Sequence, residues 1–268
     1  MTATFPRLFP AADAGYITLP EAVTKARVAY DRICTETYTE PATHYDELDR
    51  LVAETVTAVQ AGTPLPDCAA IEDARRGEQV AAEQAEVLRQ ATETLAAQVR
   101  ASVDASEVMT KHLQPAHAAV VKELAAALAV VAEHHNTGQS VLLASAKVRA
   151  AEASIDGLLE RYTAIRAARV DLDIFCHYAP EVDVDGEFSE VRNPNDVWQR
   201  SEHRNFNAGT PPWPLTPTRA RVSWYLTHGC EVWLPTPAEQ DARFRTVYAE
   251  AIAAAEEQRY RGAALGVG

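Results

Sequence analysis

The chain has 268 residues, 47% of them hydrophobic, and a formal net charge of -13. That length and apolar content suffice for one large or two modest globular domains and exclude an intrinsically disordered chain. The acidic balance repels phosphate backbones and anionic lipid surfaces, so neither nucleic acid nor a membrane is an expected partner.

The first residues, MTATFPRLFPAADAG, show no basic n-region and no apolar h-region, and no stretch reaches the ~18 to 20 continuous apolar residues of a membrane span. The expectation is a protein without a signal peptide or transmembrane segment, cytoplasmic or held within an assembled particle. Two short amphipathic helices follow. In the first, Pro20 suits the opening turn and Val23, Ala26, Tyr30 and Ile33 recur at helical spacing. In the second, Thr43 suits the cap, Tyr45, Leu48, Val52, Val56 and Val59 form an apolar stripe, and Gly62 and Pro64 end it.

From about Asp67 to His134 the pattern is again helical. Leu88, Leu95 and Met109 share one heptad position, with Val99 and Leu113 on a neighbouring one. Pro115 sits inside this run and should kink or restart it. Beyond it His117, Val121, Leu124, Leu128, Val131 and His135 alternate by four and three residues, as in a coiled-coil seam. Asn136 and Gly138 favour a helix end at 135–139. A return helix follows, with Val141, Ala144, Val148, Ala151, Ile155, Leu158, Tyr162, Ile165 and Leu172 on one stripe. Two such seams joined by a short breaker predict an antiparallel hairpin. At 1.5 Å per residue the arms would be roughly 100 Å and roughly 50 Å long, which leaves residues 70–105 in need of another partner.

The C-terminal part differs in composition, with clustered prolines and all four tryptophans. EVDVDGEFSEV reads as a small β-hairpin around Asp185-Gly186. Asn193-Pro194 can open a short helix carrying Trp198, and AGTPPWPLTPTR should run extended. Val222, Trp224 and Leu226, a turn at His228-Gly229, then Val232 and Leu234 suggest a second hairpin. A closing helix is capped by Thr236, with Pro237 in its first turn and Glu239 as capping-box partner. The predicted fold is therefore mainly α. It has an N-terminal arm with two short helices (1–66), a long kinked helix with its coiled-coil-like return helix (67–173), and a Pro- and Trp-rich region with β-hairpins and a final helix (174–268).

Chemistry is sparse in the sequence. Cys34, Cys68, Cys176 and Cys230 form no CxxC pair, so a zinc knuckle, a redox motif and a disulfide framework lack support. His134 and His135 are adjacent, whereas a helical zinc pair needs i and i+4 spacing. The acidic run from Glu181 resembles a calcium loop only in part, because Arg192 stands where the bidentate Glu belongs. There is no GxSxG elbow, Walker loop or GxGxxG. Arg219 and Arg221 lie near Trp213, Trp224 and Trp233, but aromatic side chains in such a region more often anchor a protein contact or a core.

No catalytic residue, cofactor or metal is expected. The expected role is that of a non-enzymatic structural, assembly or adaptor protein whose partners are proteins, itself or other subunits of an assembly. Leu88, Leu95, Val99, Met109, Trp198, Trp213, Trp224 and Trp233 are the candidate contact residues. Lysine is confined to Lys25, Lys111, Lys122 and Lys147 among many arginines, a bias of GC-rich coding that suggests an actinobacterium or its virus and makes a virion subunit the concrete expectation. The rivals are an enzyme with its site near His177, His203, His228 and Glu231, and a ligand- or calcium-dependent binding module.

Overall fold

The computed structural model describes residues 5–35, 44–67, 69–135, 144–180, 190–193, 213–214, 216–246 and 249. It is mainly helical, and no strand occurs among these residues beyond an isolated antiparallel bridge between Val191 and Val232. The helices are α1 (Leu8–Asp13), α2 (Glu21–Cys34), α3 (His44–Ala61), α4 (Ala69–Ser102), α5 (Ala105–Glu107), α6 (Gln114–His135), α7 (Ala146–Phe175) and α8 (Thr218–Thr227), with a π-helix at Val108–Leu113. Residues 237–246 form a further helix, α9. The chain divides into two compact units, Glu21–Ser102 and Met1–Pro20 with Val103–Gly268.

In the smaller unit α4 packs against both α2 and α3. The stripe expected on α2 turns inward, with Val23 fully buried and Ala26, Tyr30 and Ile33 half-buried. On α3 the outcome is different. Leu51 and Ala58 are buried, while Tyr45, Leu48, Val52, Val56 and Val59, the stripe legible in the sequence, all face solvent. On α4 Ala81 and Val99 are buried and Ile71, Leu88 and Leu95 are half-buried.

The long helix expected from Asp67 to His134 is interrupted before Pro115 is reached. Asp104 accepts the backbone N–H of Glu107 at 3.0 Å and starts a new helix. The Asp-Ala-Ser-Glu run at 104–107 is a cap signal that the periodicity had hidden. The π-helix then leads straight into α6. Pro115 lacks an N–H, and its ring would crowd the carbonyl of Lys111 in a regular α-turn, which the wider π-turn upstream relieves.

In the larger unit α6 and α7 pack along each other. Ala127 and Val131 meet Ile155, and the His117 ring lies 5.2 Å from that of Tyr162, so the contacts run in opposite order along the two helices. The buried face of α6 is His117, Val120, Leu124, Ala127 and Val131. This is one position off the expected seam at two points, Val120 in place of Val121 and Ala127 in place of Leu128, and the small Ala127 lets the helices approach more closely than Leu128 would. Val148, Ile155, Tyr162, Ile165 and Leu172 of α7 are buried as expected, and so is Ala144 just before it. The turn placed at 135–139 lies outside the described residues from 136 onward.

A helix absent from the sequence reading, α1, docks on α7. Phe5, Leu8 and Phe9 are buried there, and the Phe5 ring lies 5.2 Å from that of Phe175. Six residues are too few to show a period.

The second expected β-hairpin is corrected outright, because Thr218–Thr227 is a helix. Alternation of Val222, Trp224 and Leu226 suggested a strand, but the buried pair is Val222 and Tyr225, three apart on one helical face. The expected turn at His228-Gly229 is real and ends that helix. Gly229 takes a left-handed φ of 75°, and the N–H of Cys230 returns to the Tyr225 carbonyl at 3.0 Å. The first expected hairpin, at 181–188, lies outside the described residues. For α9 the expected capping box is present: Glu239 N–H donates to Thr236 Oγ1 at 3.2 Å and Thr236 N–H to Glu239 Oε2 at 2.7 Å.

One expectation about membranes also changes. Ala105–His134 is long and apolar enough to cross a membrane by length and composition, with a mean hydropathy of 1.5 over its best window of 18 residues. Counting only uninterrupted apolar residues overlooked it. Its face from Val108 to Val131 is packed within the chain, against α7 among others.

Candidate functional site

A cleft of about 580 Å³ runs along α7. Tyr162, Arg166, Arg169 and Asp173 succeed one another at intervals of four, three and four, which places them on one line of the helix, and all four line the cleft. Glu190, Arg221 of α8 and Gln240 of α9 line it as well.

Glu190 is the hub. Its Oε1 lies 3.4 Å from Arg166 Nε and 3.1 Å from Arg221 Nη2, and its Oε2 accepts the Tyr225 hydroxyl at 3.0 Å. The three charged side chains are only 12 to 26% exposed. Removing either charge from such a cluster strands the others in a poorly hydrated wall. Burial, followed by the neighbouring Glu190 carboxylate, holds the Tyr225 phenol well above its ordinary value, so it remains a donor. Arg166 also donates to the Trp233 carbonyl at 3.2 Å, tying α7 to the segment after α8.

Arg169 is less well provided for. It is 6% exposed and donates from Nη2 to the neutral Gln240 Oε1 at 2.8 Å, while its buried Nε has no hydrogen-bond partner among the described residues. Burial lowers the pKa of its guanidinium and raises that of the Asp173 carboxyl, one oxygen of which is likewise buried without a partner. Three guanidiniums therefore face two carboxylates in a chain whose total charge is -13.

A second feature is the exposed stripe of α3. Tyr45, Leu48, Val52, Val56 and Val59 are 41 to 66% exposed. On α4, Val80 and Val87, one heptad apart, are exposed too.

The residues expected to make contacts are distributed unevenly. Val99 and Met109 are buried, and Leu88 and Leu95 are half-buried on α4. Trp213 is buried in a small core with Val191, Tyr225 and Cys230, and its ring lies 5.6 Å from that of half-buried Trp224. Arg192 lies over Trp233 at 5.6 Å. Trp198 is outside the described residues.

Of the histidines weighed as a rival site, His177 and His228 are exposed and His228 stacks on Trp224 at 4.1 Å; neither they nor Glu231 line the cleft, and His203 is not described. Most of the partial calcium loop lies outside the described residues, among which no group of three or more His, Cys, Asp or Glu side chains could hold a metal ion. The sequence reading missed the cleft. Its signal was the line of Arg166, Arg169 and Asp173 at helical spacing after Tyr162 on α7. No protein-family model matches this chain, and no curated protein or solved structure does.

Proposed function

We propose that this protein is a non-enzymatic structural or assembly protein that associates with a second copy of itself through α3. The observation that carries the reading is the stripe of Tyr45, Leu48, Val52, Val56 and Val59, five apolar side chains at spacings of three and four left in solvent by the packing of α3 on α4. Such a stripe matches its own copy, because knobs at these spacings fit the holes of an identical helix. The charges beside it do not call for an oppositely charged partner, since Arg50 is already paired within α3 to Glu47 and Glu54. Val80 and Val87 of α4 are further exposed apolar side chains in the same unit.

The pairing of α6 with α7 supports reading those helices as a coiled-coil-like hairpin, a stiff scaffold for such a protein. A subunit of a larger particle, viral or cellular, is the setting that suits it. The test is molar mass by light scattering over a concentration series for the native chain and for Val52→Asp with Val56→Asp. The expected result is a discrete oligomer for the native chain and a monomer of unchanged helix content for the double variant. A native chain that stays monomeric throughout removes self-association, and an oligomer that survives both substitutions places the interface elsewhere.

A further inference from the structure

We propose that the cleft along α7 is a binding site for a small organic carboxylate with an apolar body, whose charged end is received by Arg169. This inference is independent of association through α3.

The argument begins with charge. Glu190 is shared between Arg166 and Arg221, and its two oxygens also serve the Tyr225 hydroxyl, so its accepting capacity is taken up. Arg169, 6% exposed, is attracted by the nearby Asp173 carboxylate but donates to the neutral Gln240, and its buried Nε is one that nothing among the described residues accepts from. A buried guanidinium of this kind is costly to keep unless an anion meets it, and its planar fork matches carboxylate and phosphate oxygens. Gln240 fixes that fork from the α9 side at 2.8 Å, so it is held in place before any ligand arrives. Such pre-arrangement lowers the ordering cost of binding.

Shape limits the ligand. A cleft of about 580 Å³ suits a metabolite-sized molecule and not a polymer. Ala167, Val170, Ala179 and Pro180 supply apolar wall beside the arginines. A ligand with one charged end and an apolar remainder satisfies both parts. A multiply charged anion would meet Glu190 and Asp173, which also face the cleft and would repel it.

The test is calorimetric titration of the full chain with benzoate, with benzamide as its neutral counterpart and with inorganic phosphate, at constant ionic strength. Benzoate is expected to bind at one site per chain and benzamide at least tenfold more weakly. Phosphate binding without benzoate binding would overturn the assignment of a singly charged ligand with an apolar body. Arg169→Gln should weaken the anion at least tenfold, and Val170→Trp, at a position 39% exposed on the cleft wall, should block it by filling the space. Arg219→Gln, on α8 but paired with Glu152 and Asp156, should leave it unchanged. Absence of benzoate binding, equal binding of benzamide, or equal anion binding by the native chain and Val170→Trp would overturn the proposal. The last comparison decides even where Arg169→Gln does not fold.

Discussion

Asp171, on α7, accepts the backbone N–H of Leu8 at 2.8 Å from 163 positions further along the chain, and that of Arg7 at 2.6 Å. Arg7 supplies no side-chain cap of its own to α1, so a fully buried carboxylate from another helix satisfies the first donors of this six-residue element. Replacing Asp171 with Ala should cost about 2 to 3 kcal/mol, the range for a lost cap that leaves buried donors unsatisfied. Urea unfolding would give the magnitude, and amide exchange at Leu8 should accelerate with it. An unchanged midpoint would mean that Phe5 and Leu8 dock α1 without help from the carboxylate.

His117 makes the stability of the larger unit depend on pH. Burial, with the positive charge of Arg166 added, lowers its pKa from the ordinary 6.5 to about 3. Between these values the unfolded chain binds a proton that the folded chain refuses. Stability therefore falls as pH drops from 6.5 towards 3, by up to ~1.4 kcal/mol per pH unit, and this contribution is absent above the window. His117→Leu should flatten the slope while leaving neutral-pH stability within about 1.5 kcal/mol, since the Nε2 it removes is buried without a partner. Urea midpoints of both proteins at pH 7, 5 and 4 test this; parallel curves would exclude His117 as the source.

The capping box of α9 is local, and its loss should be local too. Thr236→Ala removes the acceptor for the Glu239 N–H and should cost about 1 kcal/mol. Glu239→Ala removes the reciprocal bond to the Thr236 N–H together with one from Gln114 Nε2, so it should cost more. A double-mutant cycle read by chemical unfolding should show the two changes to be less than additive. Full additivity would mean that the two bonds do not act as one cap.

Neighbouring residues of α3 should respond in opposite ways. Leu51 is 5% exposed and Val52 is 55% exposed. Leu51→Ala should cost about 2 to 4 kcal/mol through a cavity against α4, whereas Val52→Ala should stay within about 0.5 kcal/mol in the monomer. Both are measured by urea unfolding at a concentration low enough to exclude association. Equal costs would show that α3 is rotated from the packing described above.

What could be read without the structure was whatever adjacent residues decide among themselves. Thr236 and Glu239 lie one helical turn apart, and their cap needs no other part of the chain. The stripe on α7 from Val148 to Leu172 is periodic over enough turns to leave one helical phase. Three-dimensional packing decided the rest. Period alone shows that α3 has an apolar side; its packing against α4 determines that Leu51 and Ala58 are covered while Val52 and Val56 are not. Val222, Trp224 and Leu226 fit a strand as well as a helix until Tyr225 is seen buried beside Trp213. The cleft was hidden because its charges come from α7, α8 and the segment at Glu190, and a charged residue looks solvated until distant parts of the chain enclose it. Local hydrogen bonds and helical phase depend on residues a turn apart, whereas burial and charge pairing depend on which surfaces meet.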